Sequence, residues 1–123
     1  MNTLLLIAGV LTAITALIHS ITGELTTIRL LTKTDLPQVP KTELRAGWYM
    51  VTVHLLVSAI MLFVLAADTD QNFLIGKFLA LQFWGYGLVF LLLAFIKKIK
   101  AFQVPQWVLL FIIAGLIFWG SVR

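Results

Sequence analysis

The chain contains no cysteine. That excludes disulfides, thiolate metal sites, cysteine nucleophiles and thiol redox relays together. Charge is also scarce. Of 123 residues, 11% are charged and 61% are hydrophobic, where soluble domains carry roughly 25% charge and about 45–50% apolar residues. So few charges cannot keep this much apolar surface in water, and a mean hydropathy of +1.04 points to a chain solvated by lipid. The first residues, Met1-Asn2-Thr3, run straight into apolar sequence. A secretory leader has a basic start and a small-residue cleavage site, so the first segment is expected to be retained.

What is present is four apolar stretches, each close to the 20 or so residues that a bilayer span needs. They cover about 3–21, 46–67, 73–96 and 104–122. Strongly polar groups interrupt them at His19, His54, Lys77 and Gln82. In hydrocarbon, backbone polar groups must be satisfied internally, so these stretches are expected to be helices. Continuous rather than alternating apolarity excludes a β-barrel. The expectation is an all-α membrane protein, a single domain over 1–123, with four transmembrane helices in an up-down-up-down antiparallel bundle.

The first connection is long. Leu25, Ile28 and Leu31 recur at helical spacing there, with Arg29 and Lys33 on another face, so an amphipathic extension is expected over about 24–34. Pro37 and Pro40 then break the helix, and Pro40 suits the first turn of the next one. Asp70 or Asn72 suits an N-cap for the third helix, and Pro105 suits the start of the fourth.

The cations set an expected orientation. Arg29, Lys33, Lys41 and Arg45 fall in the first connection, and Lys97, Lys98 and Lys100 in the third. Lys and Arg collect on the cytoplasmic side. Loops 22–45 and 97–103 are therefore expected in the cytoplasm of a multi-pass inner-membrane protein, with both termini outside or periplasmic. Arg123 dissents as a single charge. Lys77 is near enough to the outer surface to snorkel. Trp48, Tyr49 and Trp107 suit an inner aromatic belt and Trp119 an outer one, with Lys97, Lys98 and Lys100 as headgroup anchors. The expected partner is the lipid bilayer, with a homo-oligomer or another membrane protein beyond it. A net charge of +4 distributed this way reads as topology rather than as a nucleic-acid surface.

Both histidines fall inside spans, where ionisable groups are costly and usually face the bundle interior. Thr12, Thr15, His19 and Thr22 form one stripe of the first helix. On an ideal helix Glu24 lies about 100–140° around from His19. His54 and Ser58 share a face of the second helix, and Gln82 and Tyr86 a face of the third. Counting about 1.5 Å per residue, three helices bring polar groups to one level: His19, His54, Gln82 and Tyr86, with Glu24 nearer the cytoplasmic mouth. Three functions fit these residues. They form a site for a small ligand or ion, or a polar contact that fixes helix packing. His19 and His54 hold haem or a divalent metal. Or the histidines serve a proton- or cation-coupled transporter acting as a dimer. Enzymatic chemistry is the weakest reading, because no nucleophile–base–orienter set is visible.

The size and four-span pattern resemble the small multidrug resistance transporters, which work as dimers. That family depends on a glutamate embedded in the first helix. The middle of that helix is Gly9-Val10-Leu11-Thr12-Ala13 here, and Glu24 lies at its end, so the assignment is not adopted. The run from His19 through Gly23 to Glu24, taken with Trp48 and His54, reads as a signature without a named family.

Overall fold

The structure, a computed structural model, describes residues 1–68 and 73–122. Asp70 and Asn72, expected as N-caps, and Arg123 lie outside the described residues. Among those described there are four main helices and no strand. α1 runs Thr3–Thr32, α2 Gln38–Ala67 and α3 Phe73–Ile96. α4 runs Gln106–Ser121. The first three are long and apolar enough to cross a membrane. α4 has 16 residues, about 24 Å, and falls short of a full span. A 3-10 turn at Ala101–Gln103 and Pro105 occupy the chain that would otherwise lengthen it.

α1 is not one uniform helix. Thr3–Thr22 is α-helical, Gly23–Thr27 is π-helical, with the Ile28 amide bonded back to the Gly23 carbonyl, and Ile28–Thr32 is α-helical again. The extension expected over about 24–34 is thus a continuation of α1. α2 begins at Gln38, well before its apolar run, with Pro40 in its first turn, where a missing amide costs nothing. Lys41 closes the hairpin by donating from Nζ to the carbonyls of Thr34 at 2.9 Å and Thr32 at 3.3 Å. α3 ends in a Schellman turn. Ile99 bonds to the Ala94 carbonyl and Lys98 to that of Phe95, with Lys98 at φ 54°.

α1 packs on α2 and α4, α4 packs on α3, and the backbones of α2 and α3 make few close approaches. Gly9 of α1 lies against Leu62 and Phe63 of α2, while His19 lies against Trp48. Contacts therefore run in opposite sequence directions. The same holds for α3 and α4, where Gly76 lies by Ser121 and Gly87 by Phe111. Leu5, Leu62, Phe83, Ile113 and Ile117 fill the centre and are 0–2% exposed.

Asn2 ties one end together. Its side chain accepts from the Leu5 amide at 3.2 Å as the N-cap of α1 and donates to the Gly120 carbonyl of α4 at 2.8 Å. Its own amide bonds to the Ala66 carbonyl of α2 at 2.8 Å. Asn2→Ala is expected to cost about 1–2 kcal/mol, the scale of a lost N-cap, read as a lower denaturation midpoint in detergent micelles.

Candidate functional site

The polar residues fall into two groups. The first lies at the π-helical segment. The rings of His19 and Trp48 stack with centroids 4.1 Å apart and an interplanar angle of 11°. Each side chain also bonds the other residue's backbone. Nε2 of His19 faces the Trp48 carbonyl at 3.1 Å, which requires the nitrogen to carry the proton. The Trp48 indole donates to the His19 carbonyl at 3.3 Å. This contact needs Gly23. A Cβ there would lie inside the indole, so only a residue without a side chain lets Trp48 lie flat.

The π turn sets the direction in which the end of α1 points its side chains. Ile28 is 2% exposed. On an unbroken α-helix it would lie about 180° around from His19, away from α2. One extra residue in the turn rewinds the phase and brings the end of α1 back onto α2. Glu24 comes round with it. Its carboxylate accepts from the Tyr49 hydroxyl and lies 3.8 Å from Arg45. Arg45 Nε in turn donates to Tyr49 at 3.1 Å and its guanidinium lies 5.7 Å from the Tyr49 ring centroid. Beside this trio is an open cleft of about 360 Å³ lined by Glu24, Leu25, Ile28, Arg29, Thr32 and Arg45.

The second group lies between α2 and α3. Nε2 of His54 meets the Tyr86 hydroxyl at 3.2 Å and the Ser58 hydroxyl at 3.3 Å. The rings of His54 and Tyr86 meet edge-on, 5.4 Å apart, and Phe83 packs beside both. Gln82 is one turn from Tyr86 on the same row. Its Oε1 is buried without a hydrogen-bond partner. These are the large side chains that stand where the two backbones remain apart.

His19 and His54 do not share partners. On α2, Trp48 and His54 are about 9 Å apart along the axis and about 120° apart around it, so the two imidazoles address different faces. Among the described residues, no group of three His, Asp or Glu is placed to hold a metal ion. The structure therefore brings together His54, Ser58, Phe83 and Tyr86 in one place, with Gln82 one turn along α3 from Tyr86, and Glu24 with Arg45 and Tyr49 in another, with His19 beside Trp48. The threonine stripe bonds its own helix: Thr12 donates to the Ala8 carbonyl and Thr15 to that of Leu11, each at 2.7 Å. Of the expected anchors, Trp48 and Tyr49 are engaged as above. The Trp107 indole donates to the Ala101 carbonyl at 3.0 Å. Trp119 is exposed, as are Lys97, Lys98 and Lys100.

Sequence reasoning grouped Trp48 with His19 and Glu24 as a signature but foresaw neither the His19–Trp48 stacking nor the Arg45–Glu24 pair. The signal was Gly23 next to Glu24, a residue without a side chain at the level where His19 meets α2. Comparison with protein-family models, curated proteins and solved structures finds no match.

Gly23→Ala is expected to displace Trp48 and destabilise the fold by about 1–3 kcal/mol, the usual cost of overpacking. Gly47→Ala meets open space and is expected to be neutral or stabilising by up to about 1 kcal/mol. Thermal unfolding of both variants in one detergent checks the opposite signs.

Proposed function

We propose that the chain is an integral inner-membrane protein with four transmembrane helices arranged up-down-up-down. Its His54–Gln82–Tyr86 cluster binds a small lipid-soluble molecule through a hydrogen-bonding head. Embedding is supported by the outer faces. Leu74 is 76% exposed, Leu81 66%, Ile60 63% and Leu17 59%, and these are faces that water solvates poorly. α4 crosses as the shortest helix, with local thinning and Trp107 and Trp119 at its ends taking up the mismatch. Both termini lie outside. The end of the bundle that carries Arg29, Lys33, Lys41, Arg45, Lys97, Lys98 and Lys100 faces the cytoplasm.

The ligand reading is carried by the unpartnered Gln82 oxygen. Leaving a buried amide unpaired costs about 1–3 kcal/mol, and hydrocarbon offers nothing to satisfy it. A ligand hydroxyl or amine donating to Gln82 Oε1, and meeting the Tyr86 hydroxyl or the His54 imidazole, removes that cost. Access comes through the seam between α2 and α3, where side chains rather than backbones make the contact. His19 is engaged with Trp48, so a haem or metal site built on both histidines has less support than one built on His54 and its neighbours.

Small molecules carried by protein purified from native membranes test this, identified by organic extraction, mass spectrometry, absorption spectrum and elemental analysis. Wild type is expected to retain one compound near stoichiometry. His54→Ala and Tyr86→Phe are expected to lose it while keeping their helical circular dichroism. A wild-type protein that carries nothing, or variants that carry the same compound, contradict the ligand role and leave the cluster as a packing contact.

A further inference from the structure

The cleft at the π-helical end of α1 has the features of a headgroup site. We infer that it binds the phosphate of an anionic phospholipid in the cytoplasmic leaflet. The inference rests on the membrane reading above and is independent of the His54 ligand.

Depth is the first argument. Glu24 lies roughly 30 Å along the axis from Thr3, which is the thickness of the hydrocarbon core. A cleft beginning at Glu24 therefore opens at the level of the lipid phosphates. Charge is the second. Arg45 is already held by Glu24 and Tyr49, whereas Arg29 is exposed and its guanidinium makes no hydrogen bond or ion pair among the described residues. Arg29 and Arg45 against Glu24 leave one net positive charge on the lining, which matches one phosphodiester. Guanidinium is the group best shaped for a phosphate. An ammonium-bearing headgroup is disfavoured, because the carboxylate that would receive it already has two partners.

The third argument separates a lipid from free phosphate. Leu25 and Ile28 form an apolar wall of the cleft. Leu25, 62% exposed, continues a row with Ile21 and Leu17, each 59% exposed. Residues four apart share one helix face. A phosphate held at Arg29 thus has a ready path for its acyl chains along that row, which soluble phosphate would not use.

Full-length protein in nanodiscs of phosphatidylcholine, doped with phosphatidylglycerol or phosphatidylethanolamine, gives the test, with retained lipid counted by native mass spectrometry. Wild type is expected to favour phosphatidylglycerol by about tenfold, the effect of one charge-assisted contact. Arg29→Gln is expected to reduce the preference to about twofold or less. Lys100→Gln, at the same end but outside the cleft, is expected to keep it. Equal loss in both variants means diffuse charge attraction and overturns the site. So does an Arg29→Gln protein indistinguishable from wild type. Displacement of the lipid by excess inorganic phosphate, but not by chloride at matched ionic strength, also overturns it, in favour of a soluble anion. Resistance to alkaline carbonate extraction is measured on the same preparations. Protein released by carbonate fails the membrane reading itself, whereas carbonate-resistant protein with no Arg29 dependence fails this cleft alone.

Discussion

The outer faces of these helices are apolar over most of their length, and nothing else among the described residues covers them. Leu17, Ile21, Val53, Val57, Leu81, Leu92 and Phe95 all remain exposed with the helices packed. Four helices of this length have too little mutual contact to bury them. On the membrane reading proposed above the solvent is apolar, and in such a solvent burial no longer drives helix association. Close packing and interhelical hydrogen bonds take over. The glycines follow from that constraint: Gly9, Gly76, Gly87 and Gly120 stand where a neighbouring side chain lies against the backbone.

The same constraint explains how polar groups are spent. Each hydrogen bond across helices joins elements that, on the same reading, lipid would otherwise separate. Asn2 joins α1 to α2 and α4. The reciprocal His19–Trp48 contact joins α1 to α2. His54 with Tyr86 joins α2 to α3, which among helices consecutive in the chain have the least backbone contact. The seam between α2 and α3 is thus held by polar side chains rather than by interlocking small residues. The α3 and α4 backbones approach closely at Gly76 and Gly87, and a groove of about 530 Å³ lined by Lys77, Leu81, Trp84, Phe111, Phe118 and Trp119 runs along that contact.

Much of the architecture was legible in the residues themselves. Long apolar runs must be helical, and α3 occupies the expected 73–96. Several features were not legible for physical reasons. A π turn changes one hydrogen-bond register and leaves no mark on composition, so the angular position of Glu24 and Ile28 was worked out for a helix that does not exist. Periodicity also fails where every face is apolar. Counting residues placed His19 and His54 at similar depth, but depth carries no information about which neighbour each face meets. Trp48 suited an interfacial belt on composition, and its stacking on His19 depends on the missing side chain at Gly23, a three-body arrangement that spacing does not encode. The early start to α2 was legible in part: Pro40 suited a first turn, as found, but the charged stretch from Gln38 to Arg45 still read as loop.

The absence of cysteine allows a direct test of the solvent around the helices. Single Leu17→Cys, Val57→Cys, Leu92→Cys and Asp35→Cys variants, each spin-labelled in nanodiscs, report their surroundings through collision with oxygen or with a water-soluble nickel complex. The account predicts that labels at 17, 57 and 92 meet oxygen and exclude nickel, while the label at 35 does the reverse. Nickel reaching 57 as readily as 35 would contradict it, because the middle of α2 would then face water.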